Sequence, residues 1–297
     1  MTDQLLPWTG EPVRVGLVGA GPWARAMQAR VLAAGPETRL TAVWARREEA
    51  AQETAAPYGA KATTRFEELL DAVEAVAFAV PPAVQAELAP RAARAGRALL
   101  LEKPLGVGLT AARRVADAIG EAGVVSQLLL SNRYHPEGRR FLAAARETEV
   151  AGARSSGLSG AFLGGDFATP WRLEHGALLD VGPHLLDLLD AAVGPVARIR
   201  AAGDPRRWIE LTCEHTTGAV SQCSLSGSVN VPRGGIRVEL FGPAAPVVYD
   251  GTGLDFEEAW PVLRREFATA VRTGVSGELD ARRGLRLQEL IAGAAAG

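Results

Sequence analysis

Lysine is almost absent from this sequence: of 32 lysines and arginines, only Lys61 and Lys103 are lysines. Lys103 stands in "LLLEKPLG", at the exit of an apolar run, between a carboxylate and a proline. A lysine there is a compact cation with three donors, and it can release a proton where burial or nearby positive charge lowers its proton affinity. Arginine cannot do so in the working pH range. A second pair lies in "GALLDVGPHLLDLL". Asp180 and His184 are four residues apart, so on a helix they share a face. Histidine exchanges protons near neutral pH without tuning. Gly182 and Pro183 either distort that helix or mark its true start, and Asp180 could equally be a helix N-cap.

A third pattern, "GLVGAGPWARAM", places Gly19-x-Gly21-x-x-Ala24 directly after a short β-branched run and at the head of a helical one. In that context the pattern points to dinucleotide binding. Gly19 permits the tight turn, Gly21 lets a pyrophosphate approach, and Ala24 lets the helix pack on the strand. Pro22 and Trp23 lie inside the loop, and Trp23 either flanks a nicotinamide or simply packs. An NAD site usually carries an acid about 20 residues further on, for the adenosine ribose. Here "VWARREE" offers Ala45, then Arg46 and Arg47. A guanidinium suits a phosphate, so the expected cofactor is NADP, ahead of NAD.

The elements that must position these groups alternate through the first half. Strands are expected at 13–18, 39–46, 74–80, 97–102 and 124–134. Helices are expected at 22–35, 47–59, 66–71, 83–95 and 109–123. Such alternation means a parallel, doubly wound sheet. After a helix at 136–147, the segment 151–172 is rich in Gly, Ser and Thr and reads as irregular, partly strand. A helical stretch at 176–193 and five runs of period-two alternation follow, which indicates a mostly antiparallel sheet. Helices at 257–273 and 280–294 end the pattern. The fold class is α/β, with a Rossmann domain over 1–124 and a second α/β domain over 125–297.

Composition narrows the partners. A net charge of −2 gives no basic field for nucleic acid or an anionic membrane. No run reaches the roughly 18–20 apolar residues of a membrane helix. "MTDQLLPWTGEPVRVGLV" lacks the pattern of a signal peptide. Cys213 and Cys223 read as small core residues, which fits a reducing, cytoplasmic setting.

Taken together, the glycine loop, "FAVPP", "LLLEKPLG" and "GALLDVGPHLLDLL" resemble the glucose–fructose oxidoreductase, inositol dehydrogenase and MocA family, over about 12–295 of the chain. The resemblance implies a Rossmann domain followed by an α/β domain with a large, open, mostly antiparallel sheet. It implies that Lys103 hydrogen-bonds substrate and nicotinamide ribose, and that His184, aided by Asp180, takes or gives the hydroxyl proton. It also implies that the Lys103–Pro104 bond is cis and that Pro81, Pro82 and Glu102 border the cofactor. The family's frequent histidine after the proline pair is here Gln85.

Substrate contacts vary in this family. The candidates here are Trp171 and Arg172 in "DFATPWR", His175 with Glu174 just beyond, and Tyr134 with Arg133 and His135. His215 reads as a surface residue. His175, Asp180 and His184 could be drawn as a metal triad, but the dehydrogenase motif explains their spacing, so no metal is expected. The implied activity is hydride transfer between NADP and a hydroxyl or carbonyl carbon of a sugar, polyol or related cyclic compound, in a homodimer or homotetramer. The alternatives are a non-catalytic NADP-binding redox regulator and an imine or enone reductase.

Overall fold

A computed structural model of the chain describes residues 8–296. The opening residues, part of the stretch without a signal pattern, lie outside that range. Two compact units emerge. One holds the chain up to Leu129 together with Trp260–Leu285, and the other holds Leu130–Ala259 and the chain from Arg286 onward. No helix among the described residues is long and apolar enough to cross a membrane.

The first unit is a six-stranded sheet of β1 (Val13–Val18), β2 (Thr38–Trp44), β3 (Lys61–Thr63), β4 (Ala75–Phe78), β5 (Ala98–Leu101) and β6 (Ser126–Leu128). Its order is β3-β2-β1-β4-β5-β6, and every pairing is parallel. β4 and β5 are buried at every residue, as strands covered by helices on both faces must be. The strand order reverses between β1 and β4. The carboxyl ends of these two strands therefore flank the crevice where such sheets bind ligands, and the glycine loop leaves β1 at that point.

The expected second boundary of this unit misses a return of the chain. The edge strand β6 takes a backbone bond from Leu128 N–H to the Leu279 carbonyl (2.6 Å) and side-chain bonds with Ser276 and Ala281 (3.0 Å each). Edge strands need such cover, and here residues 260–285 supply it. Arg272 from the same segment bonds Glu74, whose carboxyl is held at about 2 by Arg272 and Arg14 against the opposing effect of burial. The strand expected over 124–134 ends at Leu128, and a short helix follows at Ser131–Tyr134.

The second unit is built on β7 (Gly152–Leu158), β8 (Val196–Asp204), β9 (Trp208–His215), β10 (Val220–Ser226), β11 (Gly235–Phe241) and β12 (Val247–Asp250), in the order β12-β11-β7-β10-β9-β8. Only the β7–β10 pair is parallel; the other four pairings are antiparallel. Ile209, Leu211 and Cys213 alternate inward with outward Trp208, Glu210 and Thr212, the mark of a sheet covered on one face. The other face is a polar cavity floor of about 460 Å³, with Arg154, Glu210, Gln222 and Arg237 among its lining. Cys213 and Cys223 are free and buried.

Four side chains expected near a pocket or the surface belong to this unit's interior. Arg133 makes a bidentate ion pair with Asp187 (3.1 and 3.0 Å), and Tyr134 is fully buried. His135 caps the helix Pro136–Arg146: its Nδ1 accepts from Glu137 N–H, and its Nε2 donates to the Asp255 carbonyl (3.1 Å each). That role follows from the proline at the first helical position, which leaves the next free N–H to the residue before it. His215 is likewise buried rather than on the surface, between the Gly194 carbonyl (2.6 Å) and Ser221 (2.7 Å).

Candidate active site

In the first unit the glycine loop has the shape its sequence demands. Gly19 sits at φ +127°, and a Cβ there would lie 2.3 Å from the Ala79 carbonyl oxygen, so no other residue fits. A Cβ on Gly21 would meet no atom within 4 Å. The loop is open on that side, which suits the close approach of a diphosphate. Pro22 is exposed, Trp23 half-buried and Ala24 fully buried against the sheet. The helix expected over 22–35 is not uniform. A π turn, Ala24–Gln28, leads into the α-helix Ala29–Ala33. Wide turns of this kind recur at functional sites.

Trp23 and Gln28 tie this helix to the Glu-Lys-Pro motif. Trp23 Nε1 donates to Glu102 Oε1 (2.6 Å), and Gln28 Nε2 donates to the same oxygen (2.7 Å). Gln85, fully buried, clamps the motif's backbone. It accepts from Glu102 N–H (2.8 Å) and donates to the Glu102 carbonyl (2.8 Å), with longer contacts to the Pro104 and Leu105 carbonyls. The Lys103–Pro104 bond is cis. Lys103 is half-buried, and Pro104 is buried. Pro81 and Pro82 open the helix Pro82–Arg94 that carries Gln85.

At the end of β2, Ala45 is buried in a small cluster with Ala50 and Ala51, with Ala20 and Ala62 packed against it. No carboxylate stands there. Arg46 and Arg47 are exposed, and among the described residues neither guanidinium makes a hydrogen bond or ion pair. Arg47 is also the N-cap residue of the helix Glu48–Ala55, with no side-chain cap.

The second unit carries the acid and the histidine. The segment Pro170–Asp180 is broken at Gly176, whose φ of +73° turns the chain. A Cβ at Gly176 would lie 2.1 Å from the Pro205 carbonyl oxygen, so glycine is required. A new helix, Gly182–Ala192, starts after Asp180 with Pro183 in its first turn, which resolves the two readings of Gly182-Pro183. Asp180 is buried and its Oδ2 accepts from Arg172 Nε (3.2 Å). The Arg172 guanidinium also lies over the rings of Trp171 (4.9 Å) and Phe167 (5.5 Å). Thus Arg172, Trp171 and Asp180 form one cluster, which Phe167 joins without having been singled out. His175 and His184 are half-buried, and Glu174 is exposed.

Comparisons with known proteins agree with this architecture. Residues 13–129 match the family model GFO_IDH_MocA, described as an oxidoreductase family with an NAD-binding Rossmann fold. A dTDP-3,4-didehydro-2,6-dideoxy-alpha-D-glucose 3-reductase from Streptomyces violaceoruber is 32% identical over 206 residues, which cover 65% of this chain and 58% of that protein. The match therefore spans under two thirds of that relative's length. The crystal structure of GenD2 from gentamicin A biosynthesis, in complex with NAD, is 26% identical, with a TM-score of 0.84 over 98% of this chain and 96% of its own. KijD10, a 3-ketoreductase from Actinomadura kijaniata in complex with TDP-benzene and NADP, shares the fold at 21% identity, with a TM-score of 0.77 over 96% of this chain and 98% of its own. Over residues 13–129 the chain is thus similar to the NAD-binding Rossmann domain of the Gfo/Idh/MocA oxidoreductases.

Proposed function

We propose that this protein is an NADP-dependent oxidoreductase that reduces a ketone, or oxidises the matching alcohol, on a sugar, with nucleotide-linked deoxyhexoses as the first substrate class to test. One observation carries the reading: the open glycine loop and the lysine motif are joined through Trp23 and Glu102 (2.6 Å). A dinucleotide cradle and a lysine at the end of β5 thus form one constructed unit. The substrate class comes from the relatives, named as reductases of a dTDP-dideoxyhexose.

In this reading Gly19, Gly21 and the helix beginning at Pro22 hold the diphosphate. Arg46, with Arg47 beside it, holds a ribose phosphate. The nicotinamide, when bound, supplies or accepts the hydride. Lys103 donates a hydrogen bond to the reacting oxygen and stabilises negative charge developing on it. His184 gives or takes the proton at that oxygen. Asp180, already engaged by Arg172, fixes the segment from which His184 projects. Trp171 and Arg172 present an aromatic face and a cation to the substrate. Tyr134, buried, supports the unit from within.

The test is titration of the purified protein with NADPH and separately NADH, followed by nicotinamide and tryptophan fluorescence. The expected result is at least tenfold tighter binding of NADPH, consistent with one charge-assisted phosphate contact. Equal affinities would overturn the NADP assignment, and binding of neither would overturn the enzyme reading. The proposal includes a homodimer or homotetramer. Its support is the uncovered face of the second sheet, where Trp208, Val220 and Phe241 are each about 40% exposed. Light scattering is expected to give a multiple of the 31.2 kDa chain mass; a monomer at micromolar concentration would remove this part.

A further inference from the structure

The amino ends of the strands in the first sheet carry a cluster of charge that the proposed chemistry does not use. Arg14 is the second residue of β1 and Arg39 the second residue of β2. The two are direct partners in the parallel register. Their neighbours Val13, Val15, Thr38 and Leu40 are buried, whereas both arginines are exposed. Partners in register point to the same face of a sheet, so two guanidinium groups stand side by side. Like charges placed in this way repel and cost stability.

Glu74, just before β4, offsets only part of this cost. Its Oε2 accepts from Arg14 Nε (3.3 Å) and from the Arg14 backbone N–H (3.0 Å). Its Oε1 is taken by Arg272 Nη1 (2.6 Å), from the helix Ala259–Thr273. Arg272 also donates to the backbone carbonyls of Glu11 and Pro12. Among the described residues, Arg39 makes no hydrogen bond or ion pair, and Arg14 leaves its Nη2 without a hydrogen bond. Together with Glu11 and Pro12, these side chains line a cavity of about 360 Å³. It holds three guanidinium groups and two carboxylates, a surplus of one positive charge. Guanidinium groups gathered around a cavity recognise oxyanions, because paired oxygens match paired N–H donors. The glycine loop leaves β1 after Val18, four residues and roughly 13 Å further along the strand.

We propose that this cavity binds a small dianion, a phosphate-bearing or dicarboxylic molecule, between Arg39 and Arg14 and apart from the cofactor site. Arg39 and the Arg14 Nη2 supply the open donors. Arg272 adds positive charge, with its own donors already committed. The anion removes the repulsion between β1 and β2 and ties the two strands together. The assignment does not depend on which reaction the protein performs.

Inorganic phosphate is the probe, titrated calorimetrically into the full chain at fixed ionic strength, with malonate in parallel. The expected dissociation constant is on the order of 1 mM, since exposed charges are screened. Arg39→Gln is expected to weaken binding about tenfold or more. Glu11→Gln, which removes an opposing charge, is expected to tighten it about threefold. Tighter binding of phosphate assigns a phosphate-bearing ligand, and tighter binding of malonate a dicarboxylic one.

Thermal melts add a sign that a merely structural arginine would not give. At low salt without phosphate, Arg39→Gln is expected to melt about 1 °C above the parent, because its repulsion with Arg14 is gone. Phosphate at about ten times its dissociation constant is expected to raise the parent by about 2 °C and the variant hardly at all, so the order reverses. If sodium chloride at equal ionic strength raises the parent as far, the effect is screening and the proposal is overturned. Unchanged phosphate affinity in Arg39→Gln overturns it too. So does loss of binding in Arg46→Ala instead, which would move the anion to the cofactor loop. Should Arg39→Gln fold poorly, Glu11→Gln carries the test, and phosphate binding no tighter than in the parent overturns the proposal.

Discussion

Lys103→Ala is expected to lower kcat by about a thousandfold or more, because it removes charge stabilisation and a hydrogen-bond donor at the reacting oxygen together. NADPH affinity is expected to stay within roughly threefold, since the phosphate contacts lie at the glycine loop and at Arg46. Melting temperature is also expected to hold. The backbone at this position is clamped by Gln85, through Glu102 N–H and the Glu102 carbonyl. Steady-state kinetics, cofactor titration and a thermal melt on the same preparation separate these effects. Turnover within tenfold of the parent would remove Lys103 from the chemistry. Lys103→Arg is expected to restore little, because the planar guanidinium is larger and does not release its proton in the working range. That outcome would explain why a chain so biased to arginine keeps a lysine here.

Much of this site was legible because its parts are local. The run Val13–Val18 is β-branched, ends at a glycine, and forms β1 with those bounds. The tight turn at Gly19 and the short side chain at Ala24 each answer a steric need that can be read from residue type. The Glu-Lys-Pro and Asp-x-Gly-x-His segments are likewise contiguous. What could not be read depends on partners distant in sequence. Gln28 and Gln85 look like polar residues on amphipathic helices. They are buried because each meets the end of β5, 74 and 17 residues away. A buried glutamine on an otherwise apolar helix face was the available signal. The return of residues 260–285 to the first unit was hidden for the same reason. Nothing in β6 announces which segment will cover its edge.

The misreadings are equally physical. "VVSQLLLSNRY" has the apolar density of a long strand, but the chain turns helical at Ser131. That turn carries Arg133 to its ion pair with Asp187, 54 residues on. His215 ends a strand whose alternation puts it on the inward face with Ile209, Leu211 and Cys213. Applying that period-two rule to the histidine itself would have placed it correctly. β7 pairs parallel to β10 although every other pairing in its sheet is antiparallel. Strand direction is not written in a strand's own residues but in the path of the chain between strands.

Arg46→Ala is expected to weaken NADPH binding by about 10- to 100-fold, the worth of a charge-assisted contact at a partly solvated site, and to change NADH binding by less than about twofold. The asymmetry is the informative part. A guanidinium that contacts a 2′-phosphate has nothing to contact in NADH, so its loss should be invisible there. The structure supplies the preconditions. Arg46 is exposed, and its guanidinium makes no hydrogen bond or ion pair among the described residues, so no internal partner must be released for it to serve a ligand. The residue before it is a buried alanine, not a ribose-binding acid. Salt dependence offers a second readout. NADPH affinity of the parent should fall more steeply with ionic strength than that of the variant, because an exposed charge pair is screened within about 8–10 Å. Equal losses for both cofactors would mean that Arg46 acts on something common to both, such as the helix it precedes. The preference for NADP would then have to come from Arg47, and Arg47→Ala would decide it by the same comparison.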